Sequence, residues 1–281
     1  MTTPDSTSFG LDAIAFVGGG NMARSLVAGL RASGTPAHAI RVAEPVPSLR
    51  DGLRADFDVD VFERAADAVA AASTWVLAAK PQALRGICED LAPIASTVRP
   101  LVISIAAGIG VAQLQRWLGD GTAIVRAMPN TPALLGAGVT GLFATPDVTA
   151  DGRLAAERLL ATAGRVVWLD DEAQMDAVTA VSGSGPAYVF LLAEAMLDAA
   201  QAQGLPEDAS RTLVLQTILG AARMLDESNA TPAELRARVT SPGGTTQAAI
   251  DAFEQGGLRA LVAHAIDAAR RRAQQLPLDH G

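Results

Sequence analysis

Lysine is nearly missing from this chain of 281 residues: of its 22 basic side chains only Lys80 is a lysine. Cysteine is represented by Cys88 alone, so no intrachain disulfide can form, which fits a reducing compartment. Aromatic residues make up 4% of the chain, and there are three histidines, His38, His264 and His280, none in a glycine-rich or strand-end loop. The chain therefore has no metal-ligand spacing, no nucleophile elbow and no Cys–His pair. A net charge of −8 leaves no basic face to neutralise a phosphate backbone, which argues against a nucleic-acid partner. Apolar runs are of strand length or broken by charges, so no membrane span is expected. The first dozen residues, MTTPDSTSFGLD, are polar and read as a flexible tail (1–12), not a signal peptide. A soluble, cytoplasmic protein is expected.

What remains is 49% hydrophobic, enough for a large core, and two domains are the default at this length. Residues 13–171 alternate strand-length apolar runs (13–17, 40–44, 59–62, 75–79, 101–105, 123–127, 139–144, 165–169) with helical patterns. That alternation predicts βαβ units and a Rossmann-type, doubly wound, mainly parallel α/β sheet. Residues 172–281 read as helix throughout, with segments at 172–181, 186–203, 206–226, 232–239, 245–255 and 257–276. The segment YVFLLAEAML, from Tyr188 to Leu197, is apolar almost all round, which implies burial on every side. A helical domain of this size does not bury such a helix alone, so packing against a second subunit is expected.

Gly18-Gly19-Gly20-Asn21-Met22-Ala23 follows the first strand and opens a helix, matching the dinucleotide fingerprint at Gly18, Gly20 and Ala23. Gly18 permits the tight turn, Gly20 lets a pyrophosphate approach the backbone, and Ala23 lets the helix pack close. Glu44 ends the second strand, where a carboxylate bonds the adenosine ribose of NAD and repels the 2′-phosphate of NADP; Arg41 and Arg50 lie near enough to oppose that preference. Three strand-end loops face the same crevice: Ala79-Lys80-Pro81-Gln82, Ala106-Ala107-Gly108 and Met128-Pro129-Asn130-Thr131-Pro132. Lys80 stands where a cation meets cofactor phosphate or a substrate carboxylate. Asn130 and Thr131, held between prolines, suit orientation of the nicotinamide amide.

Two further turns lie in the helical part. Ser182-Gly183-Ser184-Gly185 reads as a turn into a helix, with Pro186 at the first helical position and Ser184 as cap. Thr240-Ser241-Pro242-Gly243-Gly244-Thr245-Thr246 empties into a helix and aims free N–H groups and two hydroxyls at one point, which suits a small anion. An alcohol dehydrogenase needs a general base, whereas an imine arrives already protonated, so its reduction needs mainly orientation. A β-hydroxyacid dehydrogenase needs a lysine in its helical domain, and residues 172–281 contain none.

The ordered set GGGNMA, Lys80-Pro81-Gln82, MPNTP, DAVTAVSGSGPAY and ELRARVTSPGGTTQAAIDAFE resembles the pyrroline-5-carboxylate reductase family over nearly the whole chain after the tail. The resemblance implies NADPH- or NADH-dependent reduction of (S)-1-pyrroline-5-carboxylate to L-proline, and a helical domain that interlocks in dimers, which many members assemble into decamers. It places substrate at Ser241, Gly243, Gly244, Thr245 and Thr246, with Ser182, Gly183, Ser184 and Gly185 bordering it. Cofactor is implied along the first-domain loops: Gly18, Gly20, Asn21, Met22, Ala23, Glu44, Ala79, Lys80, Pro81, Ala106, Ala107, Gly108, Met128 and Asn130. Thr246 and Lys80 are the candidates for catalysis. Interlocking implies that the 240–246 turn meets the nicotinamide bound by the partner subunit.

Overall fold

The computed structural model describes residues 13–279, with side chains to residue 276, so the tail at 1–12 and His280 lie outside the described residues. The chain divides into two compact units, one running to Gly183 and joined by residues from Ala269 onward, the other Ser184–Ala268.

In the first unit, β1 (Ile14–Val17) is buried on both faces and runs into α1 (Asn21–Ala32). Then follow β2 (Ile40–Ala43), α2 (Pro47–Phe57), β3 (Asp60–Phe62), α3 (Ala65–Val69), β4 (Thr74–Leu77), α4 (Pro81–Val98), β5 (Leu101–Ser104), α5 (Val111–Leu118) and β6 (Ala123–Met128). These six strands are parallel in the order β3-β2-β1-β4-β5-β6, the dinucleotide-binding arrangement whose order reverses between β1 and β4. Past β6, a 3₁₀ turn (Thr131–Leu135) returns β7 (Gly138–Ala144) antiparallel to β6; α6 (Ala150–Ala161) then crosses to β8 (Gly164–Trp168), parallel to β7.

Successive strand side chains point to opposite faces, and the sequence uses both. Ile14, Phe16, Val42, Val76, Ile103 and Val125 pack with Leu26, Leu30, Leu53 and Leu159 from α1, α2 and α6. Ala15, Val17, Trp75, Leu77, Val102 and Ile124 pack with Leu84, Leu91, Leu114 and Trp117 from α4 and α5. All eight expected strands are present, with ends displaced by a residue or two. The unit closes with a 3₁₀ turn (Glu172–Gln174), α7 (Met175–Val178) and a π-helical turn (Thr179–Gly183).

The second unit contains α8 (Gly185–Ala202), α9 (Glu207–Glu227), α10 (Pro232–Arg238), α11 (Thr245–Gln255) and the start of α12 (Leu258–Asp279). Gly204, at φ +88°, ends α8 in the left-handed conformation that glycine adopts freely. A reciprocal cap starts α10: Thr231 N–H donates to Glu234 Oε2 (2.7 Å) and Glu234 N–H to Thr231 Oγ1 (3.3 Å). The backbone and hydroxyl bonds from Thr231 hold the Glu234 carboxyl below the usual range. Along α8 no residue is buried within this chain, and Phe190 and Leu191 are each 66% exposed.

One expectation needs correction. The sequence offered no run long enough to cross a membrane, yet residues Glu172–Ala202 form one helical run that is long and apolar enough by length and composition. The glycines at 183 and 185 hid it: they read as a full turn, and the chain passes them with a single bend at Ser184.

Candidate active site

The glycine loop lies at the switch point between β1 and β4. Gly18 has φ +105°, and a Cβ there would sit 2.8 Å from the carbonyl of Ala78 and the nitrogen of Ala79. Its N–H donates to Ala43 O (2.8 Å), so the turn is wedged between the ends of β2 and β4. Gly19 is required for a different reason, since a Cβ there would lie 2.7 Å from Leu53 Cδ1. A Cβ added at Gly20 would meet nothing within 4 Å, and the residue is exposed. It precedes α1 with no side-chain cap, so the first N–H groups of α1, from Asn21, Met22 and Ala23, are free of intrahelical partners. Ala23 is buried in the core beneath them and Met22 packs against it. An open glycine followed by uncapped donors fits a dinucleotide pyrophosphate.

Glu44 is 7% exposed. Its Oε2 accepts the Gly19 N–H (2.9 Å) and its Oε1 the Val46 N–H (3.0 Å), so the carboxylate braces the glycine loop against the end of β2. Any ribose contact is made by oxygens that already accept these bonds. Arg50 donates to the carbonyls of Glu44 (2.6 Å) and Pro45 (2.9 Å) and lies 3.6 Å from Glu63. Arg41 turns away from the loop: it donates to the carbonyls of Ala68 (2.7 Å) and Asp67 (2.8 Å) at the end of α3 and stacks over Phe62.

Ala79, half-buried, ends the β4 loop beside Gly18. Lys80 is the N-cap position of α4 with Pro81 at its start, and its exposed side chain has no protein partner among the described residues. At the end of β5, Ala106 N–H donates weakly to the buried Ser104 Oγ (3.4 Å), Ala107 is half-buried, and Gly108 turns at φ +77°. This loop is tied by a charge cluster that sequence reasoning missed. Glu172 Oε1 accepts the Val111 N–H (2.8 Å) and pairs with the largely buried Arg126 (3.0 Å), which also lies 3.9 Å from Asp176. The available signal was an arginine inside the apolar strand AIVRAM.

Asn130, 9% exposed, uses both ends of its amide: Oδ1 accepts the Val139 N–H (3.0 Å) and Nδ2 donates to Ser182 O (3.1 Å). Met128 lies beside it, and a Cβ at Gly183 would fall 2.8 Å from Met128 Cε. The expected Ser182–Gly185 turn is instead the π-helical turn and a single bend at Ser184. Ser182 Oγ donates to Val178 O (3.0 Å), and Ser184 makes no capping bond. A π-turn inserts one residue into the helical ladder, which keeps the chain helical where four alternating glycines and serines suggest a break.

In the second unit, α10 leads into Thr240, whose hydroxyl donates to Arg236 O (2.6 Å), and then into the turn. Gly243 has φ +72°, and Gly244 N–H donates to Ser241 O (3.0 Å). Gly244 precedes α11 in an extended conformation without a side-chain cap, so N–H groups at the start of α11 point out of the helix beside the Thr245 and Thr246 hydroxyls. Thr245 is exposed, as is Ser241, while Thr246 is half-buried. A Cβ added at Gly185, where α8 starts, would meet no heavy atom within 4 Å.

Titratable chemistry is absent from these loops beyond Lys80 and Glu44. His38 lies in a 3₁₀ turn (Ala37–Ala39) and His264 in α12. Burial, with the neighbouring Glu89 charge, pushes the Cys88 thiol up to about 12, so it is no nucleophile at neutral pH. No group of metal-ligating side chains occurs among the described residues. A cavity of about 660 Å³ between Arg99, Gly119, Thr122 and Asp147 lies at the amino ends of β5 and β6, the opposite end of the sheet from the glycine loop.

Residues 172–276 match the family described as pyrroline-5-carboxylate reductase dimerisation, and residues 13–108 match NADP oxidoreductase, coenzyme F420-dependent. The pyrroline-5-carboxylate reductase of Pseudomonas aeruginosa is 52% identical over 263 residues, 94% of this chain and 96% of that protein. A solved pyrroline-5-carboxylate reductase from Coxiella burnetii is similar with a TM-score of 0.92 at 42% identity, covering 95% of this chain and 99% of that one. The Plasmodium falciparum pyrroline carboxylate reductase with NADP bound has a TM-score of 0.84 at 26% identity, covering 95% and 100%.

Proposed function

Because the chain belongs to the pyrroline-5-carboxylate reductases, we propose that it forms L-proline by direct hydride transfer to protonated (S)-1-pyrroline-5-carboxylate, anchored at residues 240–246. It is an oxidoreductase of proline biosynthesis that uses NADPH or NADH. What supports the anchor is the turn itself: an uncapped start of α11, two glycines and two hydroxyls inside the matched dimerisation region.

The substrate is a carboxylate joined to a cationic ring nitrogen. The N–H groups of Thr245 and Thr246 hold the carboxylate, each charge-assisted bond contributing about 1.5–3 kcal/mol, while the Gly244 N–H closes the turn on Ser241 O. Ser241 and Gly243 shape the turn around it. The Thr246 hydroxyl accepts from the ring N–H and keeps the imine plane in one orientation. The imine needs no general base, because its nitrogen already carries a proton, and this matches loops with no histidine. Ser182, Gly183, Ser184 and Gly185 border the ring.

Gly18, Gly20, Asn21, Met22 and Ala23 hold the cofactor pyrophosphate, with Glu44 on the ribose side. Ala79, Lys80, Pro81, Ala106, Ala107, Gly108 and Met128 line its nicotinamide half, whereas the amide of Asn130, expected there from the sequence, is already taken up by Val139 and Ser182. When bound, the cofactor supplies the hydride from nicotinamide C4 to C5 of the ring. Lys80 places a mobile positive charge near the phosphates or the substrate carboxylate.

The chain self-associates through its dimerisation region. We place the domain boundary at 171/172, where the matched dimerisation region begins and ahead of the division between the compact units after Gly183, the protein in the cytoplasm, and the decamer as the larger assembly; the exposed apolar surface of α8 is covered by a second subunit and not by lipid.

One experiment tests the site and the chemistry together. With NADPH deuterated at the transferred position, label is expected at C5 of the proline formed. Thr246→Ala should lower kcat/KM for the imine about 10–100-fold with the NADPH Kd within about twofold. Label lost to water overturns direct transfer, and parallel loss of cofactor affinity moves Thr246 out of the substrate site.

A further inference from the structure

The segment from Glu172 to Gly183 follows the last strand, yet it belongs to the compact unit that holds the sheet. Contacts at both of its ends hold it against the sheet. Arg126 pairs with Glu172 at its start. A Cβ at Gly141 of β7 would lie 2.7 Å from Val178 Cγ1, and a Cβ at Gly183 would lie 2.8 Å from Met128 Cε, so the helical backbone lies close against β6 and β7. Neither glycine contact is directional. Side chains pressed together by shape alone leave a helical turn free to slide or unwind slightly, and a π-turn is less regular than the helices flanking it.

Between the β6 loop and Ser182 the directional bond comes from Asn130. We propose that Asn130 is a positioning residue for imine reduction: its buried amide clamps the Ser182 carbonyl and so fixes the π-turn beside the loop at the end of β6. Oδ1 needs a donor and has one in Val139 N–H; Nδ2 needs an acceptor and has one in Ser182 O. This pairing admits one orientation of the amide. At neutral pH, among side chains of this size, only asparagine offers an acceptor toward Val139 and a donor toward Ser182. Aspartate places a second acceptor against the carbonyl, and leucine leaves both backbone groups unpaired. Asn130 is thus occupied by the protein, and its effect on the reaction runs through Ser182 and Gly183. The proposal rests on the reading of those two residues as a border of the substrate site.

Asn130→Asp is the discriminating variant. It keeps the shape and the acceptor toward Val139, and at neutral pH it sets a carboxylate oxygen against Ser182 O. Relative to the wild type, kcat/KM for pyrroline-5-carboxylate is expected to fall about tenfold or more, with the NADPH Kd within about twofold. As pH falls from roughly 8 to roughly 5, the introduced carboxyl, raised by burial and by the facing carbonyl, takes up a proton and regains an O–H donor. The variant-to-wild-type activity ratio should therefore rise as pH falls. A ratio near one, a ratio independent of pH, or a parallel loss of NADPH affinity overturns the clamp. If Asn130→Asp does not fold, Asn130→Ser, uncharged and too short to bridge, should show the same imine defect without pH recovery; wild-type kcat/KM in that variant overturns the proposal. A wild-type enzyme that leaves the imine unreduced would sink the functional reading instead, whereas normal turnover with an unaffected variant sinks only the clamp.

Discussion

Glu44 is a carboxylate with two tasks in competition. Its oxygens accept the Gly19 and Val46 N–H groups, and it remains a buried negative charge on the proposed ribose side. Replacing it by glutamine removes the charge but turns an amide donor toward one of those N–H groups. Affinity for both cofactors is therefore expected to fall. The 2′-phosphate of NADPH carries the larger negative charge, so loss of Glu44 should favour it: the NADPH/NADH ratio of kcat/KM should rise about 3–10-fold in Glu44→Gln. Steady-state rates with both cofactors check this, and an unchanged ratio would mean that the carboxylate serves only as a brace. The three adjacent glycines separate in the same way. Gly18 answers to the Ala78 carbonyl, Gly19 to Leu53, and Gly20 to open space. A single motif thus contains one close backbone approach, one close side-chain contact and one position open to solvent.

Among elements, the segment from Glu172 to Ala202 departs furthest from its sequence pattern. Ser-Gly-Ser-Gly has the composition of a loop, but packing against β6 and β7 holds it helical through a π-turn. Gly141→Ala tests that packing, because the new methyl would meet a branched valine carbon that has no free rotation away from it. A loss of about 1–3 kcal/mol in unfolding free energy is expected from overpacking of this kind, read by chemical denaturation. Unchanged stability would show that the segment yields readily. The strands, by contrast, were legible almost to the residue, since a continuous apolar run bounded by glycine or proline defines a strand locally. Helix α11 was legible to both ends, because Gly-Gly before Thr245 and Gly256-Gly257 after Gln255 punctuate it within the chain itself.

For the whole molecule, the decisive surface is that of α8 and α9. Val189, Phe190, Leu191 and Leu192 are exposed side by side, as are Leu213 and Leu219 on the next helix. Such a surface in water is an association surface, and it lies within the region matched to reductase dimerisation. Sedimentation at micromolar concentration is expected to show no folded monomer, with unfolding midpoints that rise with protein concentration. A well-folded monomer at these concentrations would refute the shared core.

Strand and helix order, the glycine fingerprint, the threonine turn and the absence of histidine from the glycine-rich and strand-end loops were all legible in the amino-acid sequence. Each of these is written in neighbouring residues. Where Glu44, Arg126 and Asn130 make their hydrogen bonds was settled by the fold. Their partners lie 25, 46 and 52 residues away, at Gly19, Glu172 and Ser182. A polar side chain declares its capacity to bond in the sequence, but a buried one takes whichever partner the fold brings within about 3 Å, since leaving it unpaired costs more than almost any local preference.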